Sequence, residues 1–283
     1  MAHRAAPTRR PGSTLEPVSG GGTMARSRAR PVSSGWPVLV AVLALAPAPA
    51  RAARTSHLFM DESQLLPEGD VELENWLWTE GHIPDKPGRP VTSWIWIGPV
   101  VGLTSHLELQ LPVQLVGSPE YGVIDAISLV ARYRFFSRED DEGFQSLVRV
   151  EYQQPLSQYA SPPLLKALFV VTHGNLHAFR VTANVGVQLG LPFLQSSASG
   201  SVSVLGTASL GISIPLGTEL RLAGEVDGQL PFASNARPYP GQLFAGPSLA
   251  WSRGPMWVTF GCVFGLTHYS NQYQPKVLWG VTF

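Results

Sequence analysis

The nine residues LELQLPVQL, at positions 107–115, carry an apolar side chain at every second position. Successive side chains of a β-strand point to opposite faces, so this spacing predicts a strand with one apolar and one mainly polar face. An amphipathic helix would instead repeat its apolar residues at three- and four-residue intervals. The stretch therefore indicates β-structure that separates two different environments.

The same alternation recurs along most of the chain. The segments FRVTANVGVQL at 179–189 and ELRLAGEVDGQL at 219–230 repeat it. Marking such segments between residues 69 and 283 gives about twelve strands, each near the roughly 9–11 residues that a tilted strand needs to cross hydrocarbon. Charged residues make up only 14% of the chain, which is low for a soluble protein.

The lengths of the connections distinguish a barrel from a soluble β-sandwich, whose strands also alternate. Odd-numbered predicted strands are followed by long connections such as 80–90 and 231–241, and even-numbered ones mostly by tight turns such as 104–106 and 216–218. Short turns at one end and long loops at the other are typical of outer-membrane barrels. We therefore predict an all-β fold, a single antiparallel up-and-down transmembrane barrel of about 12 strands over residues 69–283, in a Gram-negative outer membrane.

The residues before the predicted barrel have the composition of processing segments. Residues 1–23 are rich in Arg, Pro and Gly without periodicity, and we interpret them as an upstream mis-start before Met24. Residues 24–52 combine a basic start, a short apolar run and small residues at the end, which predicts a secretory signal peptide. Residues 53–68 are then expected to form a periplasmic N-terminal tail. The single cysteine, Cys262, excludes an intrachain disulfide.

The chain ends in KVLWGVTF, where Trp279, Val281 and Phe283 occupy alternate positions. This ending resembles the C-terminal signature of Gram-negative outer-membrane proteins, which implies recognition by the barrel-assembly machinery. The stretch GPVVGLTSHLEL at 98–109 is similar to hairpins of barrels grouped as phenol-degradation-pathway outer-membrane proteins and related transporters. That resemblance implies an outer-membrane barrel with a transport role and no particular substrate.

Charged residues on the non-apolar face of the strands are expected to point into the lumen, because charge is costly on a lipid-facing wall. They can either line a narrow polar pore or pair with one another and plug the barrel. The predicted pore-lining residues are Glu72, Glu74, Glu108, Arg132, Arg134, Arg149, Glu151, Lys166, Arg180, Arg221, Glu225 and Asp227.

Tryptophans 76, 78, 94 and 96 flank the connection 80–90 and become cross-strand neighbours if the two strands form a hairpin. Trp76, Trp78, Trp94 and Trp96 are predicted to form an aromatic rim at the membrane interface. The alternative is a stacking surface for an aromatic or sugar solute. Strict alternation from Glu72 would turn Trp76 and Trp78 into the lumen, unless a β-bulge reverses it.

The stretch His268-Tyr269-Ser270-Asn271 resembles the active-site stretch of outer-membrane acyl hydrolases, the phospholipase A barrel and the lipid A deacylases. The resemblance implies His268 as the base that activates Ser270 as a nucleophile. The chain has no Asp or Glu after Asn271 to orient the histidine. We therefore predict no enzyme activity and keep the hydrolase as an alternative.

The function that these features favour is a passive channel or transporter for small solutes through a narrow polar lumen. An acyl hydrolase and a structural barrel with a plugged lumen are the alternatives. The expected partners are outer-membrane lipid, the barrel-assembly machinery and a small-molecule solute. Nucleic acid is not expected, since 20 basic residues balance 20 acidic ones, and no spacing indicates a cofactor or a metal.

Overall fold

The computed structural model describes residues 55–81, 91–118, 121–137, 143–156, 162–174, 178–194, 202–233 and 241–283. The predicted mis-start (1–23) and signal peptide (24–52) lie outside these residues. The strands within them are β1 (Val71–Glu80), β2 (Thr92–Thr104), β3 (Leu107–Gln110), β4 (Val113–Ser118), β5 (Tyr121–Phe136), β6 (Gly143–Pro155), β7 (Leu164–Gly174), β8 (Arg180–Gly190), β9 (Ser203–Pro215), β10 (Leu220–Ala233), β11 (Gln242–Arg253), β12 (Met256–Gly265) and β13 (Tyr273–Thr282).

All strand pairs in the described residues are antiparallel, and the sheet closes on itself. Trp76 in β1 lies opposite Trp96 in β2 on one side and opposite Leu278 in β13 on the other. The first and last strands therefore leave no open edge, as a sheet surrounded by lipid requires. This confirms the predicted all-β, up-and-down barrel.

The prediction of one continuous strand over 107–116 is corrected at one point. The structure divides it into β3 and β4 at Leu111 and Pro112, because proline has no N–H to donate to the ladder. Both halves pair with the same neighbours, β2 and β5. The thirteen strands of the described residues thus occupy twelve positions around the ring.

The side chains are distributed inside out relative to a soluble protein. In β1, Leu73 is 40% exposed, whereas its neighbours Glu72 and Glu74 are only 2% and 5% exposed. The outward, apolar phase is thus the one that faces lipid, and the charged phase points into the barrel. In the described ranges the helical element is the 3-10 turn Pro192–Leu194, and none of their helices is long and apolar enough to span a bilayer.

The two ends of the barrel differ as predicted. At one end, β10 follows β9 and β12 follows β11 after only a few residues, and Gly254 makes the second of these turns with a positive φ of 58°. A two-residue hairpin turn favours glycine at such a position. At the other end the connections after β1, β10 and elsewhere are mostly longer. The end with short turns is the periplasmic end in barrels of this kind.

Candidate functional site

The residues that precede β1 lie inside the barrel. We call residues 55–70 the luminal segment. Its side chains Ser56, His57, Leu58, Glu62 and Ser63 are almost fully buried, and its hydrogen bonds reach strands around the ring. The expectation of a periplasmic tail over 53–68 is therefore wrong for the described residues from Thr55 onward. The segment carries polar groups that the charged inner wall satisfies, and hence it is more stable there than a free tail would be.

One anchor of the luminal segment lies on β10 and β13. The Glu225 carboxylate accepts hydrogen bonds from the backbone N–H groups of Leu58 (2.6 Å) and Phe59 (3.0 Å). Lys276 Nζ donates to the Leu58 carbonyl oxygen at 2.5 Å and lies 4.5 Å from the centre of the Phe59 ring. The Leu58 side chain packs in an apolar cluster with Trp257 and Leu278. This anchor therefore combines charge-assisted hydrogen bonds with apolar burial.

A second anchor surrounds Glu62. Its carboxylate accepts from Ser56 N at 2.6 Å, contacts His57 Nδ1 at 3.1 Å and forms an ion pair with Arg180 of β8. Burial by itself raises the pKa of Glu62, but Arg180 and His57 outweigh burial and hold this pKa well below its usual range. Glu62 is consequently ionised. A buried carboxylate of this kind is held by its partners, and loss of one partner is costly.

A third anchor joins the segment to β3, β5 and β6. Asp61 lies between two arginines, with Oδ2 at 3.1 Å from Arg149 Nη1 and Oδ1 at 3.7 Å from Arg132 Nε. Arg132 Nη2 also donates to the Glu62 carbonyl oxygen at 2.5 Å. Further along, Leu66 N donates to Glu108 at 2.8 Å. The segment thus crosses the lumen and contacts opposite sides of the wall.

Two glycines make room for the segment. A Cβ on Gly102 of β2 would collide with the Pro67 carbonyl oxygen, and a Cβ on Gly211 of β9 would collide with the His57 ring. Backbone approach this close is possible only without a side chain. The close packing of the luminal segment therefore depends on glycine at these two wall positions as well as on the residues of the segment.

The structure places the predicted pore-lining residues on the inner wall. Nine of them are less than 9% exposed, and Arg134, Arg149 and Lys166 are half-buried. They form charge pairs within the wall, among them Arg132 with Glu108 at 3.0 Å and Arg149 with Glu151 at 2.7 Å. The nine buried residues are Glu72, Glu74, Glu108, Arg132, Glu151, Arg180, Arg221, Glu225 and Asp227.

A cavity of about 180 Å³ remains beside the luminal segment. Wall residues Glu74, Trp76, Arg132, Arg149 and Lys276 line it, together with segment residues from Leu58 to Glu62. The luminal segment therefore narrows the lumen but does not fill it. Charged and apolar side chains both line the cavity, and the charged ones are of both signs.

The four tryptophans do not form an interfacial rim. Trp76 stacks on Trp96 with ring centres 4.5 Å apart, and Trp78 stacks on Trp94 at 5.6 Å. They continue the buried phase of Glu72 and Glu74, while Leu77 and Ile95 between them are exposed. The predicted rim is corrected to a stack on the inner wall, because no bulge interrupts the alternation of β1.

Several exposed aromatic side chains instead lie on the outer face of the barrel, and three of them are phenylalanines at one end. Phe135, Phe136 and Phe144 lie near the short-turn end of β5 and β6 and are each about half exposed. Our sequence reasoning did not identify them, although alternation along β5 turns Tyr133 and Phe135 outward.

The sequence prediction of the inner wall also omitted Lys276. This residue points inward, because it alternates along β13 with Trp279 and Val281, which face outward. The luminal segment has no periodicity that could have revealed its position.

The arrangement at His268 and Ser270 is not that of a catalytic pair. Ser270 is 1% exposed, and its Oγ donates to Leu243 O and accepts from Leu243 N, both at 3.0 Å. Thr267 Oγ1 is a further partner at 2.8 Å. His268 is exposed, and within the described residues its ring forms no hydrogen bond to Ser270. The serine hydrogen that a base would have to remove is directed at a backbone carbonyl, so the geometry favours a role in fixing this connection.

We expect no lipid hydrolysis above background from either the parent or the Ser270→Ala variant. Purified parent and variant would be incubated with phospholipid and with lipid A, and released fatty acid measured. The variant should instead lower thermal stability slightly, because the partly buried N–H of Leu243 loses its hydrogen bond, a net contribution of about 0.5–1.5 kcal/mol. Release of fatty acid by the parent that disappears in the variant would restore the hydrolase alternative.

The residues of the C-terminal signature lie on the outward face of the last strand. Phe283 is 66% exposed, and its N–H donates to the Val71 carbonyl oxygen at 2.8 Å. Trp279 and Val281 share its phase in β13. Recognition of this ending by the assembly machinery stays a prediction.

Comparisons with known proteins support the fold. The sequence matches no protein-family model, and no curated protein sequence matches it. Among solved structures, an outer-membrane channel from Pseudomonas putida superposes with a TM-score of 0.60 at 11% identity, over 80% of this chain and 100% of that one. The NanC porin gives a TM-score of 0.51 at 6% identity, over 75% and 98% of the two chains. The chain thus has the fold of outer-membrane β-barrels.

Proposed function

We propose that the protein is a passive channel for small polar solutes in the outer membrane. The observation that carries this proposal is the charged cavity of about 180 Å³ beside the luminal segment, inside a closed barrel whose outer face is apolar. The solved barrels with the same fold are described as an outer-membrane channel and a porin, which supports the proposal.

The solute passes beside the segment and not through an empty barrel. Arg132 and Arg149 border the cavity on one side, and Glu74 and Asp61 supply the opposite charge. Mixed charge at close quarters favours small, hydrated, polar solutes, because larger ones would have to displace the segment. The alternative of a structural barrel with a plugged lumen has less support, because the lumen contains the cavity beside the luminal segment.

The experiment is single-channel recording of the full chain in planar bilayers. We expect small, resolved conductance steps. A polar polymer small enough to enter the cavity should lower the size of the steps, whereas a polymer too large to enter should not. Heat-modifiable mobility on unboiled gels would first establish that the barrel is folded. A folded, inserted barrel that gives no steps at all would contradict the proposed channel.

A further inference from the structure

The two acidic side chains of the luminal segment occupy positions that a solute could take. Asp61 and Glu62 are consecutive in the chain, yet their carboxylates are directed at different arginines. Asp61 contacts Arg132 and Arg149, and Glu62 contacts Arg180. The segment thus presents two carboxylates to three guanidinium groups. Guanidinium groups bind carboxylates through parallel hydrogen bonds, which makes them suited to recognising such a group on a ligand.

Arg180 depends on the segment for its counter-charge. Arg132 and Arg149 each have a carboxylate on the wall, Glu108 and Glu151. The carboxylate that pairs with Arg180 in the described residues is Glu62, and Arg180 is only 4% exposed. If Glu62 moves away, a buried guanidinium is left without a counter-ion, which is strongly unfavourable. The wall at this point therefore favours binding of another anion.

Unused donors point to the same place. The Nε groups of Arg132 and Arg149 are buried, and within the described part of the chain neither has a hydrogen-bond partner, since Asp61 Oδ1 lies 3.7 Å from Arg132 Nε, beyond hydrogen-bond distance. Both residues line the cavity of about 180 Å³, as do Asp61 and Glu62. Buried polar groups usually find partners, so spare donors beside an internal space are what a ligand site provides.

We propose that Arg132, Arg149 and Arg180 form a binding site for a small dicarboxylate, which Asp61 and Glu62 occupy while no solute is bound. The inference rests on the proposed channel and names a class of solute for it. A dicarboxylate that enters the cavity competes with the segment for the three guanidinium groups. Binding therefore exchanges one set of ion pairs for an equivalent set, and the segment loses its second and third anchors.

The test measures binding of succinate to the full chain in detergent by titration calorimetry. The variant is Asp61→Asn with Glu62→Gln, which keeps the shape of both side chains and removes their charges. We expect it to bind succinate at least about tenfold more tightly than the parent, since the internal competitor for the arginines is lost. Uncharged succinamide should not bind to either protein.

The matched control is Glu68→Gln, which removes one negative charge from an exposed position of the same segment. It should bind succinate as the parent does. Adding Arg180→Gln to the double variant should remove most of the gain, and single Asp61→Asn should give an intermediate affinity. Unchanged heat-modifiable mobility identifies the variants that are folded.

Equal succinate affinity in the parent, the double variant and the control would overturn the inference, as would absence of saturable binding to the folded double variant. The calorimetric measurement needs no conduction. A folded protein that binds succinate but is silent in bilayers would contradict the channel and support the site. A conducting protein that does not bind succinate in the double variant would contradict the site and support the channel.

Discussion

Removal of residues 55–68 is expected to raise the single-channel conductance severalfold. The segment crosses a lumen enclosed by twelve strand positions, and its contacts with Thr172 of β7 and Thr259 of β12 lie in the half of the barrel nearest the short turns. A barrel of this size without an internal segment lies between small barrels filled by side chains and porins with open water channels. The measurement is conductance in planar bilayers at fixed salt, beside the parent.

Two controls make this result specific. The deletion variant should retain the heat-modifiable mobility of a folded barrel, because Gly69 and Asp70 keep their backbone bonds to Gly102 of β2. Glu68→Gln should conduct as the parent does. A folded deletion variant with parental conductance would mean that the segment does not limit the path.

Substitution of Glu225 by Ala is expected to release the first part of the luminal segment. The carboxylate accepts hydrogen bonds from the backbone N–H groups of Leu58 and Phe59. Alanine has no acceptor for either N–H group. Each donor left unsatisfied costs about 1–3 kcal/mol, so the seated state of the segment should lose several kcal/mol. The bond after Phe59 should then become accessible to chymotrypsin in the folded protein, and amide exchange at Leu58 should accelerate.

Asp227→Ala is the matched control for this substitution. Asp227 lies two residues further along β10 on the same inward face, but its described partner is Ser209 of the wall, at 2.7 Å. Its loss should therefore leave chymotrypsin cleavage after Phe59 as slow as in the parent. Equal protection in Glu225→Ala and Asp227→Ala would show that Glu225 does not hold the segment.

The sequence predicts the barrel well because one physical constraint repeats along it. Each wall position faces either lipid or the lumen, so Leu73 and Glu74 must alternate in character, and the period of two is readable. The same rule would have placed the tryptophans and Lys276 on the inner wall. Interfacial belts are a common location for tryptophan, but the direction of the Trp76 side chain follows the local alternation of β1.

The luminal segment could not be predicted in the same way. Residues 55–70 have no regular secondary structure within them, and their burial depends on partners more than a hundred residues away, such as Glu225 and Lys276. No local pattern records contacts at that separation. The hydrolase motif shows the opposite case, in which residues close in sequence do not interact. His268 and Ser270 are two positions apart, but the Ser270 hydroxyl forms hydrogen bonds with the backbone of Leu243.

The luminal segment continues directly into β1, which begins at Val71. Residues 63–70 thus tether Asp61 and Glu62 to the wall that they contact. For so short a link, the effective concentration of a tethered group is in the millimolar range or above. A free solute that binds the same arginines must reach a comparable concentration to displace them. The proposed site would therefore stay occupied by its own chain at low solute concentration and bind solute only when the solute is abundant.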